Sequence, residues 1–235
     1  MLRSGTVATL AALLVGGCVS GAAPAPQKEP DARVQGAPAP SAIPAPSASL
    51  APAPIVLCPT TISNPPPVDA NGVARAGPMV EVKGVRLFLM PATGVCLSSG
   101  YGERNGRLHR GVDYFAKVGG AVVAAADGVV VERAARADFG NMVVIDHGAD
   151  VFTRYAHLES FAPGLAAGAR VSAGAALGPV GSTGATSVRH LHFEVLVGKY
   201  VAGAGSFGLT ALNPFDLPMA TAVAAGRERK DRPAT

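Results

Sequence analysis

Arg189-His190-Leu191-His192-Phe193-Glu194-Val195 is the stretch whose reading decides the fold. Two histidines one residue apart, inside an apolar and aromatic run, make sense as a β-strand. Side chains on a strand alternate with a period of two, so His190, His192 and Glu194 share one face. Leu191, Phe193 and Val195 then point into a core. Two imidazoles held side by side on a rigid element can bind a metal, or bind it and move protons beside it. The alternative is a half-exposed strand that carries two polar histidines. The chain has five histidines, all within residues 109–192.

Outward from that strand the chain reads as β. Val80-Glu81-Val82 and Val85-Arg86-Leu87-Phe88-Leu89 are short strands split by the turn pair Lys83-Gly84. Ser98 to Gly106 is a glycine-punctuated loop. Val112–Phe115, Ala121–Ala125 and Val129–Arg133 are strands, and Asp127-Gly128 predicts a tight hairpin between the last two. Met142–His147 and Val151–Leu158 are joined through Gly148-Ala149-Asp150, and Gly198-Lys199 turns the chain after the His190–Val197 strand. Turn signals recur every eight to twelve residues or so and no long 3.6-residue period is present. This predicts an all-β, antiparallel, sandwich-like domain over residues 80–217. The abundance of alanine argues for helix, but its neighbours are mostly glycine, valine and turn pairs.

The two ends differ in composition. Met1-Leu2-Arg3, an apolar run from Val7 to Val15, and Val15-Gly16-Gly17 before Cys18 predict a signal peptide over residues 1–17. The apolar run falls short of the ~20 residues a membrane span needs. A Cys directly after Val-Gly-Gly resembles a bacterial lipoprotein signal, in which that Cys18 is acylated; the alternative is an ordinary signal peptide with an incidental Cys. Val19 rather than Asp after the Cys points to the outer membrane, hence a periplasmic, lipid-anchored protein. Residues 18–79 read as a tether, because repeated Ala-Pro from Ala37 to Pro54 suits neither helix nor central strand. Stretched at ~3.1 Å per residue, the Ala-, Pro- and Ser-rich part from Gly21 to about Pro67, some 45 residues, reaches on the order of 140 Å. Residues 218–235 read as a frayed, charged tail. With Cys18 assigned to lipid, Cys58 and Cys96 remain as a pair for a disulfide in an oxidising compartment. The formal charge of +4 suits an anionic polymer, but there is no basic block with interleaved aromatics and no Trp, which excludes nucleic acid.

His109-Arg110-Gly111-Val112-Asp113 sets a His and an Asp four apart, a pattern chance supplies often. With His190-x-His192 it provides two nitrogens and an oxygen, with one histidine to spare. A catalytic zinc takes three protein ligands and leaves one position for water. His157, in Tyr155-Ala156-His157, lies on a strand that can face the same site. His109-x-x-x-Asp113, Tyr-Ala-His157 and His190-Leu-His192-Phe-Glu, in that order, resemble the LytM/lysostaphin-type zinc peptidases that cut peptide bridges of peptidoglycan. The likeness runs from about Ser98 to Pro214 and includes Ser99-Gly100-Tyr101-Gly102-Glu103-Arg104 and Val180-Gly181-Ser182-Thr183-Gly184. It implies Zn²⁺ on His109, Asp113 and His192, with His157 and His190 as the unliganded catalytic pair.

The resemblance thus implies a zinc endopeptidase acting on peptidoglycan cross-links. The competing readings are an amidase-activating wall regulator without activity of its own, and a structural zinc module, which is usually closed by four ligands and rich in cysteine. Glu194 is expected to orient a strand histidine or to sit solvated. Tyr101 and Arg104 are expected to line the groove, and His147 to be structural. Gly181-Ser182-Thr183-Gly184 lacks the Lys-Ser/Thr of a phosphate loop and reads as a turn.

Overall fold

Valine-rich alternation, punctuated by turns, gives fourteen strands in chain order. They are β1 (Met79–Val82), β2 (Val85–Phe88), β3 (Cys96–Ser99), β4 (Gly102–Arg104), β5 (Arg107–His109), β6 (Val112–Phe115) and β7 (Ala121–Val123). Then follow β8 (Gly128–Arg136), β9 (Gly140–Asp146), β10 (Val151–Leu158), β11 (Arg170–Val171), β12 (Ala176–Pro179), β13 (His190–Val197) and β14 (Thr210–Leu212). The structure, a computed structural model, describes residues 53–60, 62–201 and 206–220. Among these the only helical pieces are two 3₁₀ turns, Ser206–Gly208 and Pro214–Asp216.

An eight-stranded sheet runs β11-β8-β9-β10-β13-β6-β3, with β14 also paired to β13. Every strand pair in it is antiparallel. The β1–β2 hairpin and the β7–β12 strand pair supply side chains to one core on one face of this sheet: Val80, Leu87, Val122 and Leu177 share it with Tyr114, Val143, Tyr155, Leu191, Phe193 and Val195. Each such side chain removed from water is worth roughly 1.5–3 kcal/mol. The opposite face carries a smaller apolar cluster of Met142, Val144, Phe152, Ala156, Leu196 and Leu209, with Phe139 packed against it and the His192 ring 5.9 Å from the Phe139 ring.

Four features depart from the sequence reading. Asp127-Gly128 makes no hairpin, because β7 pairs with β12 while β8 pairs with β9 and β11. Asp127 instead receives the His147 ring N–H on its carbonyl and the Ala173 N–H on its carboxylate. Ser98–Gly106 is not a loop. It holds the end of β3 and a β4–β5 hairpin whose two-residue turn is Asn105-Gly106, both at positive φ (52° and 71°), as a type I′ turn requires. The expected tether boundary at residue 80 lies too late: Ile55 is in the core, and Leu57 and Ser63 bridge in parallel to Leu97 and Ser99, on the edge of β3. An edge tolerates the prolines, whose missing N–H would face no partner there. At the other end, the Pro218 carbonyl accepts the Glu81 N–H and the Ala220 N–H donates to the Met79 carbonyl, so residues 218–220 belong to the fold and not to the expected tail; residues 221–235 lie outside the described residues. The signal peptide, Cys18 and most of the Ala-Pro run lie outside the described residues.

Cys58 and Cys96 form a disulfide with Cα atoms 5.0 Å apart, closing a loop over a sequence separation of 38. On the chain-entropy account such a loop stabilises by about 4 kcal/mol. Replacing both cysteines by serine is therefore expected to cost a large part of that in denaturant unfolding. An unchanged midpoint would show that the stretch from Ile55 to Ser63 holds without it.

His147 is structural. Its Nδ1–H donates to the Asp127 carbonyl (2.7 Å), and its Nε2 lies 2.7 Å from Thr153 Oγ1. Thr153 continues to the Tyr155 hydroxyl, which accepts the Ala125 N–H. Burial lowers the His147 pKa by more than the Asp127 carbonyl and the carboxylates of Asp146 and Asp127 raise it. The unfolded chain thus takes up a proton below about pH 6.5 that the fold resists. Stability from this group falls as pH drops below that value and is flat above it. His147→Asn should flatten the fall of the unfolding midpoint between about pH 7 and pH 5; an unaltered slope would rule this out.

Candidate metal centre

β13 carries His192 directly opposite Asp113 of β6 and opposite Ala156 of β10, all on the face away from the main core. His109 ends β5. The chain passes from β5 into β6 through Arg110-Gly111, and a side chain at Gly111 would collide with the Phe193 carbonyl, the Glu194 side chain and the His192 ring. Only glycine lets this crossing lie flat on β13, and so the four-residue spacing brings His109 and Asp113 to one point.

His157 arrives differently. Simple alternation along β10 would put it on the core face with Tyr155. A register shift between Tyr155 and Leu158, and a φ of 64° at His157, turn it to the other side. A bulge of this kind re-aims a side chain at a local cost.

His109 Nε2, Asp113 Oδ1 and His192 Nδ1 converge, at 3.0 Å, 2.8 Å and 3.1 Å from one another. These three buried residues form a group able to hold a metal ion. The opposite ring nitrogens fix the tautomers. His109 Nδ1–H donates to the Gly100 carbonyl (2.7 Å) and His192 Nε2–H to Glu194 Oε1 (3.0 Å). Three acceptor atoms therefore face one point, an arrangement that calls for a cation. Burial opposes ionisation of Asp113, yet the hydrogen bonds and charge of His109 and His192 hold its carboxyl well below the usual range. Burial likewise lowers the His192 pKa, but Asp113 and Glu194 outweigh it and lift the value to about 9.

His157 and His190 sit beside this group with ring centroids 4.7 Å apart. Each donates Nδ1–H to a carbonyl, Thr183 and Val188 respectively, both at 2.8 Å. Their Nε2 lone pairs are left open; that of His190 is 3.7 Å from Asp113 Oδ1. Burial is the main cause of lowered pKa values in both, down to about 4 for His157, so both are neutral near pH 7.

Arg104, expected to line the groove, does so, and donates to Asp113 Oδ2 (2.9 Å) and to Ser99 Oγ (3.0 Å). One contributor was not legible from motifs. Arg154 of β10, opposite Glu194 in register, donates to Glu194 Oε2 (2.7 Å) and to Ser206 Oγ (2.8 Å). Its place was readable from strand alternation once the pairing was known. Tyr101 is not among the residues that line the clefts around the histidines; its hydroxyl donates to the Ala211 carbonyl.

Residues 107–203 match peptidase family M23. Over 91 residues the chain is 43% identical to the DD-carboxypeptidase/endopeptidase Mpg of Neisseria meningitidis serogroup B, covering 39% of this chain and 20% of that protein. It is 41% identical over 91 residues to the peptidoglycan DD-endopeptidase ShyC of Vibrio cholerae, covering 39% and 21%. It is 38% identical over 88 residues to the murein hydrolase activator NlpD of Salmonella dublin, covering 37% and 22%. The alignments thus span about a fifth of the length of these relatives.

Proposed function

We propose, from the match of residues 107–203 to peptidase family M23, that this chain is a zinc-dependent endopeptidase of peptidoglycan cross-links, of the LytM/lysostaphin type its motifs resemble. The observation that carries the reading is the convergence of three acceptor atoms, from His109, Asp113 and His192, beside two neutral histidines. Two imidazoles and one carboxylate are a fitting set for zinc with a position left open. When bound there, the ion would acidify a coordinated water and polarise a peptide carbonyl. His157 and His190 present Nε2 lone pairs that take a proton from the attacking water; once protonated, each can donate to the developing oxyanion or to the departing amine. Their anchors on Thr183 and Val188 hold these rings in place throughout. The relatives named as DD-endopeptidases support a D,D cross-link as the bond cut.

Incubating the zinc-loaded protein with sacculi, with and without chelator, and identifying fragments by mass tests this. New amino and carboxyl ends within the cross-link are expected. Release of intact stem peptides from glycan would mean an amidase instead. The second reading, a wall-hydrolase activator, draws on the likeness to NlpD. It predicts no fragments at all, and the presence of all five of His109, Asp113, His157, His190 and His192 argues against it.

We place the protein in the periplasm, held to the outer membrane by acylated Cys18. Several acyl chains bind firmly where one binds weakly, at ~0.8 kcal/mol per buried CH₂. Cys18→Ser should abolish lipid labelling and release the protein from membranes; full retention would end the anchoring proposal.

A further inference from the structure

Two clefts of unlike chemistry meet at the histidines, and His192 lines both. One, of about 330 Å³, is bounded by Ser63, Ser98, Thr186 and Val188 and holds His157 and His190. The other, of about 350 Å³, is walled by Arg104, Arg107 and Arg110 with Leu108 and Phe139, on the His109 side. We propose that this second cleft binds a carboxylate through Arg107, and that the peptide cut here bears a free carboxylate close to the scissile bond. The inference rests on the endopeptidase reading above.

The β4–β5 hairpin makes the case. Arg104 and Arg107 stand directly opposite each other in its register, on either side of Asn105-Gly106. Like charges facing across a strand pair destabilise it, so such a pair at a site's mouth asks for an anion. Arg104 already has one: it holds Asp113 Oδ2 and Ser99 Oγ, while Asp113 Oδ1 faces the two histidines. Arg110 is engaged with the Leu209 carbonyl. Arg107 is exposed, and its guanidinium has no hydrogen-bond or ion-pair partner among the described residues. The one carboxylate lining this cleft, Glu194, is buried and committed to His192 and Arg154, so it leaves Arg107 unneutralised. A planar guanidinium matches a carboxylate with two parallel hydrogen bonds. A cross-linked stem peptide carries free carboxylates, whereas its neighbouring methyl groups and amides offer Arg107 nothing comparable.

The test uses two cross-linked dimers, identical except that the carboxylate beside the scissile bond is free in one and amidated in the other. The zinc-loaded protein is expected to cleave the free acid with a roughly ten- to hundredfold higher kcat/KM, through a lower KM. Arg107→Ala should lose most of that advantage, its loss being far larger on the acid than on the amide, and Arg107→Lys should fall between. Zinc content of the variants, measured alongside, reports that the site is intact. Equal kcat/KM on both dimers, or an equal loss on both in Arg107→Ala, would overturn the carboxylate arm and leave the hydrolase standing. If neither dimer is cut, the hydrolase reading fails. Calorimetric binding of the two dimers to the same protein then decides the arm: preference for the acid, abolished in Arg107→Ala, upholds it, and equal binding overturns it.

Discussion

His192→Ala is expected to lose both its zinc and its hydrolysis, whereas His190→Ala keeps zinc near one per chain and loses hydrolysis alone. The two residues are neighbours on one face of β13, so they differ only in where their nitrogens point. His192 Nδ1 lies 2.8 Å from Asp113 Oδ1 and 3.1 Å from His109 Nε2, at the convergence point. His190 Nε2 stands off at 3.7 Å from Asp113 Oδ1. Removing one of three ligands weakens the remaining bonds and admits extra water, so metal and activity fall together. His109→Ala and Asp113→Ala should behave the same way. Removing a proton-transfer group beside an intact ion costs a typical acid–base contribution, ~10²–10⁴-fold in rate. His157→Ala belongs with His190→Ala. Elemental analysis and cleavage rate on the same samples separate the classes. Zinc lost from His190→Ala but kept by His192→Ala would reverse the assignment of the strand pair.

The alternation in His190–Val195 was readable because it is a local rule: Leu191, Phe193 and Val195 are fully buried in the main core, and His192 and Glu194 share the other face. The all-β class followed from the regular recurrence of turn signals and the lack of any long 3.6-residue period. What escaped the sequence was set by partners distant in the chain. Asp127-Gly128 carries a strong hairpin signal, yet β7 finds β12 some fifty residues on, and local turn chemistry cannot report that. Asn105-Gly106 carried an equally strong signal, obscured by the glycines around it. The bulge that turns His157 to the site breaks the alternation rule, so period-two reasoning alone would have buried that ring in the core. Apolar Ile55 and Val56, next to proline, were outweighed by the composition around them. The buried ions behind the site were hidden for a different reason: nothing in Thr153-Arg154-Tyr155 says that an arginine there will be covered.

That arginine is expected to matter nearly as much as a ligand. Arg154→Ala should cost about 3–5 kcal/mol of stability, because it strands Glu194 as an unpaired buried carboxylate, and should weaken zinc binding by roughly 10–100-fold. The side chains of Arg154 and Glu194 are 2% and 1% exposed and meet at 2.7 Å. Arg154 also holds the Ser206 carbonyl and hydroxyl, while its Nε has no hydrogen-bond partner and the guanidinium lies 4.6 Å from the centroid of the Phe139 ring. Glu194 thus has one oxygen fixed by Arg154 and the other receiving His192 Nε2–H. This fixes the imidazole's tautomer and points its Nδ1 lone pair inward. Stability and metal binding separate in the double variant Arg154→Met, Glu194→Leu. With both charges gone and the volume filled, stability should recover toward the parent, since a buried ion pair gains little over well-packed apolar residues. Zinc affinity should stay low, because His192 Nε2–H has lost its acceptor. Denaturant unfolding and competitive zinc titration on both variants measure the two effects. A double variant that binds zinc as tightly as the parent would reduce the pair to a packing feature with no hold on the metal centre.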